Sequence, residues 1–226
     1  VRLGEDGRIE ERPFVFDPAG GADDPVLSLP LAAEVEPINW CNLRCRYCHV
    51  SFMGDPEVRR LDEVMLSNLE GLSGAFVQVG AAFEPTLHKG FASIVDGLHG
   101  MGCEIGTITN GTLLNDASIE SLVRADPYSI QVSFDAGSRE SYEYIRRRSD
   151  FEETIAKIGR LREALRAGGC RTILLLSVVL MRCNIDELKE MIDLAEDLGV
   201  DLLGFQFLVL RFAGDPALIG DSLDPI

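Results

Sequence analysis

Cys41-Asn42-Leu43-Arg44-Cys45-Arg46-Tyr47-Cys48-His49 places three cysteines within eight residues, directly behind the apolar, strand-like run 33–40. A loop that short can turn all three thiols toward one point. Three thiolates on one side suit an iron–sulfur cube, which is held by cysteine sulfur. Three ligands leave one iron without a protein donor, and an open metal position is where chemistry takes place. Two other readings compete. Zinc would need His49 as fourth ligand, yet zinc ligands come as separated pairs and Cys48 and His49 are adjacent. A disulfide framework would need an oxidising compartment, but three cysteines in one loop cannot all pair locally, and nothing at the start reads as a signal peptide.

Outward from the loop, short apolar runs alternate with amphipathic stretches. Strands are expected at 33–40, 75–80, 103–109, 128–134, 172–181 and 201–210, and one short strand at 14–16. Between them, Leu61, Val64, Met65, Leu69 and Leu72 fall at helical spacing. The next helix, with Thr86 as its cap, turns Leu87, Phe91, Ile94, Val95 and Leu98 inward. Asn115 opens another, and Asp126-Pro127 stops it. A short helix at 138–147 is followed by a longer one capped by Asp150, with Glu153 three residues on. Asn184 and Glu187 form a similar capping-box-like start. Continuous apolar strands separated by amphipathic helices specify a parallel sheet covered by helices. Right-handed crossovers curl six such units about one axis, predicting an α/β fold, a partial (β/α)6 TIM-like barrel. Function in such barrels sits where the strands end.

Polar residues do stand at those ends. They are Glu84-Pro85-Thr86 after the second strand, Thr109-Asn110-Gly111 after the third, and Ser133-Phe134-Asp135 after the fourth. Arg146 follows the short helix, Ser177 lies in the fifth strand, Cys183 follows it, and Gln206 lies in the sixth.

The C-x3-C-x2-C run, with Tyr47 just before the third cysteine, resembles the radical S-adenosylmethionine (radical SAM) family. The strand-end residues follow that family's order over about 35–210. The resemblance implies a [4Fe-4S] cluster on Cys41, Cys45 and Cys48, and S-adenosyl-L-methionine bound at its open iron. It further implies reductive cleavage of the sulfonium to a 5′-deoxyadenosyl radical that abstracts hydrogen from a substrate, either a small molecule or a peptide. It assigns Glu84 to the amino group of S-adenosylmethionine, Ser133 to its carboxylate or ribose, Arg146 to its carboxylate and Tyr47 to the region of the adenine. Thr109, Asn110, Asp135 and Ser177 complete the set. An external one-electron donor, such as a flavodoxin or ferredoxin, is implied as partner. Ala82 and Phe83 depart from the family pattern, which has glycines there; if that turn needs positive φ, Phe83 is strained. Plainer roles stand beside these: Glu84 as a helix-start acid, Asp135 as a helix cap, Arg146 within a solvated basic cluster, Asn184 as a cap, and Cys183 as a packed cysteine. Arg44 and Arg46 either offset the cluster's charge or lie on the surface. A non-catalytic iron–sulfur or zinc-binding barrel is the alternative function.

The 226-residue chain carries 37 acidic against 21 basic side chains, a formal charge of −16, which disfavours nucleic acid and anionic membranes as partners. No apolar run reaches membrane-spanning length. Cys103, Cys170 and Cys183 stand alone, so a reducing cytoplasm is expected. Three segments are predicted: a Gly-, Asp- and Pro-rich lead-in at 1–32, the barrel at 33–212, and at 213–226 the start of a C-terminal extension. The first residue, Val1, and the stop soon after a strong strand read as a domain cut from a longer protein.

Overall fold

A computed structural model describes residues 2–3, 9–10, 32–54, 56–62 and 68–208. Six parallel strands form one sheet: β1 (Ala32–Val35), β2 (Phe76–Val79), β3 (Glu104–Thr109), β4 (Ser129–Ser133), β5 (Ile173–Leu180) and β6 (Leu202–Phe207). Their order in space is their order in the chain, each strand hydrogen-bonded to the next. This is the expected α/β partial barrel. A two-residue antiparallel pair, Arg2–Leu3 with Ile9–Glu10, lies outside it, and the expected strand at 14–16 lies outside the described residues.

The sheet faces alternate as the pleat requires. Val77, Val79, Ile105, Ile130, Val132, Leu174 and Leu176 are buried under the helices. The opposite row lines the barrel interior and is more polar. Register sets Ile108 beside Gln131, Ser133 beside Ser177, and Val179 beside Gln206. Among the described residues five helices cover the sheet: α1 (Phe91–Gly100), α2 (Asp116–Ala125), α3 (Arg139–Ile145), α4 (Phe151–Ala167) and α5 (Leu188–Asp197). Phe91, Leu98, Leu122, Ile158 and Leu161 are buried to within 1%; each side chain of this kind contributes roughly 1.5–3 kcal/mol on transfer from water.

Several boundaries differ from the sequence reading. β1 stops at Val35 instead of running to Trp40, because Pro37 has no N–H for the ladder; the chain then makes a single antiparallel bridge from Ile38 to Arg60. Thr86 does not cap α1. A 3-10 turn, Pro85–Leu87, intervenes with Glu84 as its cap, and α1 starts at Phe91. Of the helix expected after the cysteine loop, residues 63–67 lie outside the described set, and Asn68–Leu72 is a 3-10 turn. The caps Asn115 and Asp150 hold: Ser118 N and Glu153 N donate to them at 3.0 and 2.8 Å. Asn184 makes no cap bond. Its amide is buried, donating to Asp135 O (2.6 Å) and Val179 O (2.9 Å) while accepting from Met181 N (2.7 Å). Glu187 likewise serves another helix, taking bonds from Gly137 N, Ser138 N, Ser138 Oγ and Ser141 Oγ at the start of α3.

Candidate active site

One cavity opens at the C-terminal ends of the strands. Cys41, Cys45, Tyr47 and Cys48 form one wall. The others come from the strand ends: 81–84 after β2, Ile108 to Asn110 at β3, and Gln131, Ser133 and Asp135 on β4 and just beyond it. Ser177 and Val179 on β5, Gln206 on β6, and Arg146 complete the lining. Every residue assigned to the site by sequence therefore borders the same space.

The cysteine loop is held by its own backbone and by arginine. Cys48 N donates to Cys45 O at 3.2 Å, and Ser51 Oγ to the same carbonyl at 2.6 Å. Arg44 donates to Cys41 O (2.7 Å) and Leu43 O (2.8 Å), while its guanidinium lies 4.2 Å over the Trp40 ring. A two-residue bridge pairs Arg44 with Arg147 and Cys45 with Arg146. The Cys41 sulfur accepts from Leu43 N at 3.4 Å and from Asn110 Nδ2 at 3.7 Å. Burial pushes the Cys41 thiol up to about 11 and the Cys45 thiol to about 12, and raises Cys48. Such thiols ionise only against a strong cationic ligand, which is how cysteine binds metal.

Tyr47 ties the loop to the barrel. Its hydroxyl donates to Asp135 Oδ2 at 2.6 Å and accepts from an Arg146 terminal nitrogen at 3.2 Å. Arg146 Nε lies 2.8 Å from the same carboxylate oxygen, with both side chains almost wholly buried. That N–H points off the line to the oxygen, so the contact is ionic rather than a hydrogen bond. The other oxygen, Oδ1, accepts from Val179 N at 2.8 Å. Burial alone would lower the Arg146 pKa, but Asp135, with Tyr47 and Cys45, holds it well above its ordinary value; burial pushes the Tyr47 phenol well up. Two of the plainer readings thus fail. Asp135 does not cap α3, since Ser138 does, and Arg146 is not solvated.

Glu84 is the second node. Oε1 accepts from Thr109 Oγ1 (2.6 Å), from Thr86 N (3.1 Å) and from the Thr86 hydroxyl, and Oε2 from Asn110 N (2.7 Å). Burial raises this carboxyl, against the pull of those bonds. It caps the Pro85–Leu87 turn and also borders the cavity; Oε2, with one partner among the described residues, keeps acceptor capacity. Phe83 is not strained: the positive φ in this turn belongs to Gly80, at 74°. Phe83 instead meets His49 edge-on, ring centroids 5.6 Å apart.

The sequence reading missed three contributors. Glu36, at the end of β1, accepts from Ala81 N (2.8 Å) and Ala82 N (2.6 Å), fixing the turn that lacks the family's glycines. Its other oxygen is buried without a partner among the described residues, and burial raises its pKa. Asn42 links Thr112 (2.8 Å) and Asn110 (3.0 Å) to the loop. Gln131 lines the cavity one pleat below Ser133, a position the period of two could have revealed. Asn42 and Glu36 carry no such periodic signal.

A thiol-lined cavity at the rim of a parallel half-barrel defines a class of cofactor-dependent barrel proteins. The family model described as "Radical SAM superfamily" matches residues 35–195, and the chain belongs to that superfamily. It is 29% identical over 205 residues to the mycofactocin maturase MftC of Mycolicibacterium smegmatis, covering 88% of this chain and 49% of that protein. It is 31% identical over 193 residues to a GTP 3′,8-cyclase of Moorella thermoacetica, covering 82% and 57% respectively. The chain thus spans about half the length of the curated relatives it matches. Among solved structures, Streptococcus suis SuiB bound to S-adenosylmethionine superposes with a TM-score of 0.66 at 15% identity, over 83% of this chain and 43% of that one. Native anSMEcpe with bound AdoMet gives 0.64 at 16%, over 86% and 56%. These two show the fold.

Family membership implies S-adenosylmethionine and an iron–sulfur cluster, and the residues present fit both. Among the described residues no three His, Cys, Asp or Glu side chains gather closely enough to enclose a single ion. A cube spreads its cysteines over separate irons, and three cysteines border this one cavity. The same cavity is lined by a carboxylate, hydroxyls, amides and a guanidinium, the donor and acceptor types that an amino acid and a nucleoside require.

Proposed function

We propose that this chain is the catalytic core of a radical SAM enzyme, with Cys41, Cys45 and Cys48 as ligands of a [4Fe-4S] cluster. The observation that carries this is the convergence of all three thiols and all eight assigned strand-end and loop residues on one cavity. When bound, the cluster supplies an electron that cleaves S-adenosylmethionine to methionine and a 5′-deoxyadenosyl radical. The chain's own residues bind, orient and shield. Glu84 Oε2 accepts from the cofactor's ammonium, and Thr109 and Asn110 hold that carboxylate in place. Ser133 and Ser177 offer hydroxyls to its polar groups. Tyr47, Asp135 and Arg146 fix the loop against the rim and keep water from the thiols.

Two substrate classes stand in the relatives' names: a GTP cyclase, and a precursor peptide in the SuiB complex. We favour a peptide. Arg146 is the one cationic side chain among the described lining residues, and Asp135 neutralises it. A triphosphate calls for clustered Lys and Arg. We take 33–212 as the catalytic unit, with 1–32 a lead-in and 213–226 the start of an extension. The working compartment is a reducing cytoplasm.

The test is anaerobic reconstitution with iron and sulfide, followed by dithionite and S-adenosylmethionine. The chain should turn brown and release 5′-deoxyadenosine. Cys45→Ala should lose both while its circular dichroism and melting temperature stay near the cluster-free parent. A colourless zinc protein, or 5′-deoxyadenosine from Cys45→Ala, would end this reading. Glu84→Ala should keep the cluster and weaken cofactor binding at least tenfold by calorimetry; unchanged affinity would remove Glu84 from the cofactor site.

A further inference from the structure

We propose that the outer side of the cysteine loop is a docking surface for an acidic one-electron carrier protein, a reading that rests on the cluster assignment above. At a net −16 the chain as a whole repels such a carrier. Its sequence nevertheless gathers four arginines at one place: Arg44 and Arg46 within the loop, Arg147 and Arg148 directly after the buried Arg146. The antiparallel bridge joins the two pairs, setting Arg44 opposite Arg147.

Elsewhere most described surface arginines face a carboxylate, although Arg166 binds only the Gly199 carbonyl. Arg124, Arg139, Arg160, Arg162 and Arg171 each pair with a carboxylate. Among the described residues, none of the four at the loop does. They are positioned by neutral partners instead. Arg44 stacks on Trp40 and binds loop carbonyls. Arg46 lies 3.8 Å over the Tyr144 ring and donates to Tyr144 O at 3.1 Å. Arg147 donates to Arg44 O at 3.0 Å, and its side chain, like that of Arg148, is exposed. Arg148 also holds φ at 75°, a left-handed backbone that costs a non-glycine residue energy and marks functional turns. The result is fixed positive charge left open to a partner, with Tyr144, 42% exposed, as an apolar contact within it.

Small charged surfaces of this kind fit brief redox encounters, in which opposite charges steer approach and little area is buried. Location fits as well. Cys45 is the next residue after Arg44 and belongs to the same two-residue bridge, so the arginines flank a proposed cluster ligand. The step is a single electron: the carrier is oxidised by one, the cluster reduced by one, and no group is transferred.

The experiment compares the parent chain, Arg147→Glu/Arg148→Glu, and Arg147→Lys/Arg148→Lys, with a strongly acidic flavodoxin as probe. Binding of oxidised flavodoxin to the cluster-free chain at low salt should weaken at least tenfold in the glutamate variant and return to within twofold in the lysine variant. After reconstitution, cluster reduction by reduced flavodoxin should fall at least tenfold in the glutamate variant and lose its salt dependence, with reduction by dithionite within twofold of the parent. Equal flavodoxin affinity in all three chains would overturn the proposal. So would a lysine variant no better than the glutamate variant, or equal losses with both reductants. A chain that binds flavodoxin in this charge-dependent way but takes up no cluster would refute the proposed function and leave the docking surface standing.

Discussion

Asp135 shows why the site residues were easier to find than to explain. Its position after β4 was readable from the strand-end rule, but its partners lie 88 residues upstream in Tyr47 and just after α3 in Arg146. Nothing local distinguishes a helix cap from a buried counter-ion; only the fold brings the arginine to it. Asp135→Asn should cost on the order of 3–5 kcal/mol in urea unfolding of the cluster-free chain, because it leaves Arg146 buried and uncompensated. Asp135→Asn with Arg146→Met should recover most of that loss, since both charges are then gone. Glu36 is the opposite case, a residue without a sequence signal whose chemistry follows from burial. Burial raises its carboxyl, so the folded chain binds that proton more tightly than the unfolded chain. Its contribution to stability is full below the ordinary glutamate range and is lost as pH rises through the raised value. Glu36→Gln should lack that slope, so melting temperatures of the two chains should converge or cross as pH rises above the ordinary glutamate range.

At the scale of elements, most of the architecture was legible. Helix and strand periods differ, and four of the six strands fall within a residue of the apolar runs that announce them, while β6 ends at Phe207 against an expected 210. Errors collect where a single residue overrides a pattern. Pro37 ends β1 five residues early, and Pro85 converts an expected helix start into a 3-10 turn. Capping residues were misread where a longer-range partner won: Asn184 and Glu187 have the spacing of a capping box, yet each binds the β4–α3 corner instead. Asn184→Leu should therefore destabilise by roughly 2–4 kcal/mol, well beyond the loss of one cap, because it strands buried backbone groups. Gly80 governs the turn after β2. A methyl there would sit 2.6 Å from Pro85 Cγ and 2.9 Å from Ile108 O, on a backbone at φ 74°. Gly80→Ala should cost about 1–3 kcal/mol and displace Glu84, measurable as weaker S-adenosylmethionine binding in calorimetry.

At the scale of the molecule, sheet order equal to chain order makes this barrel a stack of units added one after another. The fold class was readable because each unit repeats one strand–helix pattern. The site was readable in outline because the barrel delivers every strand end to one side. What each side chain grips there was not, since those contacts span the stack. The loop carrying the thiols belongs to the first unit, whereas the carboxylate and guanidinium that secure Tyr47 arrive 88 and 99 residues later. At translation rates of 5–20 residues per second, a nascent chain displays its three cysteines for roughly 5–20 s before their anchor exists. On the proposed cluster assignment, iron loading belongs after that interval, through which the thiols depend on the reducing power of their surroundings.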